Sequence, residues 1–97
     1  MSLPLTLYGA KDCDDTDRTR AHLLKLGIPF HEVNIDHNPE AEQFVIFINR
    51  GYRSTPTLVF GEDKFKIIVT EPTDEQLEQV LAQAGYSIPE AFKNRNP

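Results

Sequence analysis

The stretch Asn38-Pro39-Glu40-Ala41-Glu42-Gln43-Phe44-Val45-Ile46-Phe47-Ile48 decides the fold. Its apolar run Phe44–Ile48, taken alone, would suit a buried strand. The flanks favour a helix instead. Asn38 before Pro39 makes an N-cap and N1 pair, and Glu40 and Glu42 load the first turn with negative charge. Ala41, Phe44, Val45 and Ile48 then recur at i, i+3, i+4 and i+7. Arg50 and Gly51 close the segment as a helix end requires.

Upstream, Leu3, Leu5 and Leu7 alternate with Pro4, Thr6 and Tyr8, which predicts a strand ending at Gly9. From Asp14 to Leu26 the period becomes helical, through Thr16, Arg20, Leu23, Leu24 and Lys25, and Gly27 stands where a C-terminal cap belongs. Pro29 keeps that helix from continuing, and Phe30–Ile35, with Val33 and Ile35 on one face, predicts a second strand. Downstream, Thr57–Phe60 and Lys64–Val69 flank Gly61-Glu62-Asp63 as a hairpin. Thr73 and Gln76 form a capping box ahead of Leu77, Val80, Leu81 and Ala84, a helix that ends at Gly85. Residues 86–97 read as a loosely held tail, in which Pro89-Glu90-Ala91-Phe92 suits one helical turn.

The order is therefore β-α-β-α-β-β-α. The first βαβ unit implies a parallel strand pair with a right-handed crossover, and the hairpin adds an antiparallel pair. The expected fold is α/β, a four-stranded mixed sheet flanked by helices. It forms one domain over residues 1–97 with its core at about 3–85.

Composition narrows the function. A chain of 97 residues is one domain and can bury about 65% of its extended surface, enough for a core without disulfides. One cysteine excludes an intrachain disulfide framework and a Cys-rich zinc site, and suits a reducing, cytoplasmic setting. Ten Lys and Arg against fifteen Asp and Glu give a net charge of −5, which argues against a general nucleic-acid binder. No apolar run approaches the ~18 residues of a membrane span, and the N-terminal residues lack the basic start of a signal peptide. Asp12, Asp14 and Asp17 only superficially suggest a calcium loop, because Asp17 and Leu23 occupy the places of its glycine and glutamate. His22, His31 and His37 lack metal-ligand spacing and are expected to be solvated. No metal site and no Gly-rich phosphate loop is read.

The chemistry converges on Cys13. It lies in Gly9-Ala10-Lys11-Asp12-Cys13-Asp14-Asp15-Thr16, after the first strand and just before the first helix. A thiol at a helix N-terminus faces unpaired backbone N–H groups, which favour the nucleophilic thiolate. A buried, inert cysteine is the ordinary alternative, but polar residues on both sides of a strand-to-helix turn favour exposure.

The element order, a cysteine in this turn, and Arg53-Ser54-Thr55-Pro56-Thr57 before the third strand together resemble the glutaredoxins of the thioredoxin superfamily. The likeness runs from about Leu3 to Gly85. Asn49-Arg50-Gly51-Tyr52-Arg53-Ser54-Thr55-Pro56-Thr57 fits a stretch typical of small bacterial members. The resemblance implies that Cys13 is the nucleophile of a Cys-x-x-Cys site whose resolving cysteine is replaced by Thr16, giving the monothiol form Cys-Asp-Asp-Thr. It implies that Pro56 is a cis-proline that turns the Thr55 backbone toward the sulfur to pair with a peptide-like substrate such as glutathione. It also implies that Lys11 and Arg53 lie on the substrate side, Arg53 meeting a carboxylate. Thr73 and Asp74, at the start of the last helix, would hold the γ-glutamyl end. No tightly bound cofactor is implied; glutathione or another low-molecular-weight thiol would be the co-substrate. Cluster-binding relatives carry Cys-Gly-Phe-Ser, which this site does not match. A monomer is expected, and one exposed cysteine allows an intermolecular disulfide on oxidation.

The departure from the family lies at the reactive site. Asp12, Asp14 and Asp15 surround Cys13, with Asp17 close behind. A carboxylate about 6 Å from a thiolate opposes it by roughly 0.7 kcal/mol in water and roughly 2.8 at an effective dielectric of 20. A helix N-terminus returns only about 0.3–1 kcal/mol at an exposed site. Two readings therefore stand at this level. One is a thiol–disulfide oxidoreductase working through a single cysteine on mixed disulfides of small thiols, in cell redox homeostasis. The other is a thioredoxin-fold binding or regulatory module that has lost redox turnover. They differ in whether the aspartates face the sulfur or cap the helix and pair with Lys11, Arg18 and Arg20.

Overall fold

A computed structural model describes residues 2–64 and 66–89. The chain runs β1 (Leu5–Gly9), α1 (Asp14–Leu26), β2 (His31–Asn34), a 3-10 turn (Ile35–His37), α2 (Pro39–Ile48), β3 (Thr57–Phe60), β4 (Ile67–Thr70) and α3 (Asp74–Gln83). This is the order read from the sequence. The strands form one sheet in the order β2-β1-β3-β4, with β1 parallel to β2 and antiparallel to β3, and β3 antiparallel to β4.

The disputed segment is a helix. The Asn38 side chain accepts from the Ala41 N–H at 3.0 Å and Pro39 begins the first turn. At its other end Arg50 and Gly51 have φ of 58° and 99°, and the Gly51 N–H returns to the Ile46 carbonyl. In α1, Gly27 at φ 73° makes the turn that lets its own N–H and that of Ile28 bond to Leu24 and Leu23. The Thr73–Gln76 capping box of α3 is present in both directions.

The helices sit on both faces of the sheet. Leu5 and Leu7 of β1, with Leu58 and Phe60 of β3, pack against Leu23 and Leu26 of α1 and Leu77, Val80 and Leu81 of α3. On the opposite face Tyr8 and Val33 meet Ile35, Ala41, Phe44 and Val45, with the Tyr8 and Phe44 rings 5.2 Å apart. Phe47 points away from this contact and is 82% exposed.

Several local expectations are corrected. The first strand begins at Leu5, not Leu3. The second ends at Asn34, whose side chain accepts from the Asp36 N–H and starts the 3-10 turn, so Ile35 is buried outside the strand. The fourth spans Ile67–Thr70 instead of Lys64–Val69. Leu24 is 65% exposed, while Thr19 and His22 occupy the inward face of α1. His22 is thus not a solvated histidine: its Nε2 lies 2.7 Å from Glu78 of α3. His31 and His37 are exposed, as expected. The core also extends beyond Gly85, since Tyr86 packs against it and Ile88 is buried within it. The suggested turn at Pro89–Phe92 falls largely outside the described residues.

Candidate active site

Cys13 occupies the N-cap position of α1 with extended backbone (φ −110°, ψ 111°), and its side chain makes no capping bond. Without a full capping bond, the sulfur still lies near the N–H groups of Asp15 and Thr16 while facing the loop before β3. Opposite it, the loop before β3 carries Thr55 and a cis Thr55–Pro56 peptide. The Thr55 hydroxyl donates to Sγ at 3.4 Å, and the thiol in turn donates to the Thr55 carbonyl at 3.6 Å. Thus Cys13, Thr55 and Pro56 are brought together from two distant stretches of chain.

Thr16, in the position of the absent second cysteine, is fully buried on α1, and its hydroxyl accepts weakly from the Ala10 N–H at 3.5 Å. It packs so closely on β1 that a Cβ at Gly9 would stand 2.4 Å from Thr16 Cγ2. Burial would push the Cys13 thiol up. The hydroxyls of Thr16 and Thr55, with the N–H groups of Thr16 and Asp15, outweigh that effect and hold it below its ordinary value. The half-buried sulfur is therefore poised toward thiolate.

Two of the surrounding acids are engaged elsewhere. Asp15 pairs with Arg18 at 3.6 Å, and Arg18 continues to Asp74 at 2.7 Å and to the Pro72 carbonyl at 3.0 Å. Asp17 pairs with Arg20, which forms a forked contact with Glu32 of β2. The Glu32 and Asp17 carboxylates together raise the basicity of Arg20 beyond its usual value. Asp14 is an exposed first-turn residue of α1, and Asp12 is exposed at φ 59°.

The other sequence-read residues fall into two groups. Arg18 ties Asp74 to α1, so the start of α3, with Thr73 as its cap, lies beside the first turns of α1. Lys11 and Arg53 are joined through Asp36: the Lys11 N–H donates to Asp36 Oδ2 at 2.9 Å, and Arg53 donates to Asp36 Oδ1 and to Glu42 of α2. Arg53 is thus already paired with two carboxylates, Glu42 and then Asp36, which raise its basicity. Lys11 is exposed.

Arg18, Asp36 and Glu42 were not read from the sequence as site residues, because each acts through a partner far along the chain. Asn49 stood within the quoted loop motif without a role. Its amide donates to the Val45 carbonyl and the Thr57 hydroxyl and accepts from Thr70, while Thr57 donates to the Ser54 carbonyl. The loop before Pro56 is therefore anchored to α2, β3 and β4 together. Among the described residues no three His, Cys, Asp or Glu side chains are placed to hold a metal ion, and no helix is long and apolar enough to cross a membrane.

Comparison with known proteins agrees with this geometry. NrdH-redoxin from Escherichia coli, a glutaredoxin-like protein, superposes with a TM-score of 0.67 at 20% identity, over 90% of this chain and 100% of its own. A glutaredoxin from Archaeoglobus fulgidus gives a TM-score of 0.60 at 22% identity, over 84% and 87%. These likenesses establish the thioredoxin fold. Proteins carrying glutaredoxin names in two strains of Mycobacterium tuberculosis are 30% identical over 79 residues, covering 81% of this chain and 90% of theirs. The family model described as Glutaredoxin matches residues 5–65, from β1 into the loop between β3 and β4. On fold, sequence and the placement of its one cysteine, this chain belongs to the glutaredoxin family of thioredoxin-fold redox proteins.

Proposed function

We propose that the protein is a monothiol thiol–disulfide oxidoreductase acting on mixed disulfides of glutathione or another small carboxylate-bearing thiol. The observation that carries this reading is the Thr55 hydroxyl on the Cys13 sulfur at a helix start, with the thiol held below its ordinary value. The Cys13 thiolate attacks the small-thiol sulfur of the mixed disulfide. A bond forms between Sγ and that sulfur, the substrate disulfide breaks, and the substrate thiolate leaves to take a proton from water. A second small-thiol anion then attacks the captured sulfur, forming the symmetric small-thiol disulfide and returning Cys13 as thiolate. The net reaction is an exchange: one free small thiol is consumed, the substrate is released as a thiol, and one symmetric disulfide is formed. With Thr16 in the second position, no intramolecular disulfide competes.

In this reading Thr55 and Pro56 line the substrate side, the exposed Lys11 meets a carboxylate, and the Thr73 cap marks the helix start that takes the other end. Arg53 and Asp74 contribute from their ion pairs, both side chains remaining partly exposed. A reducing cytoplasm supplies the thiol that completes the cycle. The test is turnover of a small glutathione mixed disulfide by the wild type and by Cys13→Ser in the presence of glutathione. Turnover by the wild type alone supports the proposal. Loss of turnover in both proteins would instead favour a binding module that keeps the fold without the chemistry.

A further inference from the structure

We propose that Asp36 is a positioning residue for the reactive thiol, its one carboxylate joining the loop that carries Cys13 to the loop that carries Thr55. The inference rests on the monothiol reading of Cys13. Oδ2 accepts the Lys11 N–H, two residues before the cysteine, and Oδ1 accepts from Arg53, two residues before the threonine. Strand pairing between β1 and β3 extends only to Tyr8 and Thr57. Beyond that pair the two loops have no ladder to hold them, and Asp36 supplies a tie from the side.

The carboxylate is itself fixed. The Asp36 N–H donates to Asn34 Oδ1 at 2.8 Å, which sets the 3-10 turn. Arg53 is also held by Glu42 of α2, which accepts from its Nε. Lys11, Asp36, Arg53 and Glu42 thus form one continuous run of contacts from the end of β1 to α2. The Lys11 N–H and then Arg53 hold the Asp36 carboxyl below its usual range, so the tie is fully charged at neutral pH.

The charges around this pair give the test its sign. Asp36 faces Arg53 and neighbours His37. Cys13 has Lys11, Asp12, Asp14 and the Arg18-paired Asp15 on its own segment, and Arg53 lies on the facing loop. As a bare negative charge Asp36 opposes a nearby thiolate, so its removal would speed thiol chemistry. As a positioning residue it keeps Thr55 on the sulfur, so its removal slows it. The two roles predict opposite signs.

The experiment measures the rate of Cys13 alkylation by iodoacetamide against pH in the wild type, Asp36→Ala, Asp36→Asn, Thr55→Val and the double variant Asp36→Ala/Thr55→Val. Asp36→Ala is expected to slow alkylation at pH 7 about two- to fivefold and to move the midpoint upward, as weakening one hydrogen bond to sulfur would. Asp36→Asn keeps an acceptor for the Lys11 N–H and is expected to slow it less. In the Thr55→Val background the loss of Asp36 adds little, because the contact it positions is already gone. Faster alkylation in both Asp36 variants, or equal slowing with and without the Thr55 hydroxyl, overturns the proposal. An activated wild type that Asp36→Ala leaves unchanged defeats only the role of Asp36. A wild-type thiol of ordinary reactivity defeats both it and the monothiol reading.

Discussion

The Thr55 hydroxyl donates to the Cys13 sulfur at 3.4 Å across 42 positions of sequence. That contact turns a cysteine at a helix start into a candidate nucleophile. It opposes burial, the one effect that raises the thiol, and it does so together with Thr16 and the first N–H groups of α1.

Thr55→Val keeps the shape of the side chain and removes the donor. A hydrogen bond of this kind is worth about 0.5–1.5 kcal/mol net, or roughly two- to tenfold in thiolate population. Alkylation of Cys13 at neutral pH is expected to slow by that factor. Melting temperature should change little, because the contact lies at the partly exposed loop surface.

Arg18→Gln releases both Asp15 and Asp74. Asp15 then loses its compensating charge, and a carboxylate about 6 Å from a thiolate opposes it by roughly 0.7 kcal/mol in water. About threefold slower alkylation is expected at low ionic strength. The deficit should shrink at about 1 M salt, where the screening length falls to about 3 Å. The Thr55→Val deficit, a short-range contact, should persist in the same salt.

Gly9→Ala places a methyl group 2.4 Å from Thr16 Cγ2, and Thr16 is fully buried. Strand β1 and helix α1 must then move apart, at a cost of about 1–3 kcal/mol. Thr16→Ser removes the clashing methyl, so the double variant Gly9→Ala/Thr16→Ser should recover much of the loss in denaturant melts. Equal stability of Gly9→Ala and the wild type would contradict this packing.

The pattern along the chain carried the architecture because the deciding signals are local. Asn38-Pro39 and Thr73 with Gln76 cap their helices within four residues, and Leu5 and Leu7 alternate as a half-buried strand must. The same was true of Cys13 at its turn and of the loop ending in Thr55-Pro56. What stayed hidden depends on partners far away in sequence. His22 looked like a surface residue until α3 brought Glu78 to it, 56 positions on. Arg53 looked free for a substrate carboxylate, whereas the fold gives it Asp36 and Glu42. The aspartates around Cys13 could not be sorted by spacing, since the bonds of Asp15 and Asp17 run outward to arginines on the next turn of α1. Tyr86 and Ile88 read as tail because no period marks them, yet they pack on the core formed by α1, α3 and the sheet.

Asp36 also gives a pH signature for stability. Its folded-state carboxyl lies below the ordinary value, held there by the Lys11 N–H and Arg53. Such a group stabilises the fold fully above the unfolded-state value, about 3.9, and loses that contribution as pH falls through the folded one. The wild type should therefore exceed Asp36→Asn in stability at pH 6, with the gap closing in melts taken at progressively lower pH below about 4. A gap that stays constant down to acid would assign the difference to something other than this charge.

The rate of wild-type Cys13 alkylation against pH bears most directly on whether the aspartates silence the sulfur or leave it reactive. The expected curve has its midpoint clearly below the ordinary thiol value of about 8.5, with measurable reaction at neutral pH. A midpoint at or above that value would contradict an activated nucleophile, whatever the fold around it.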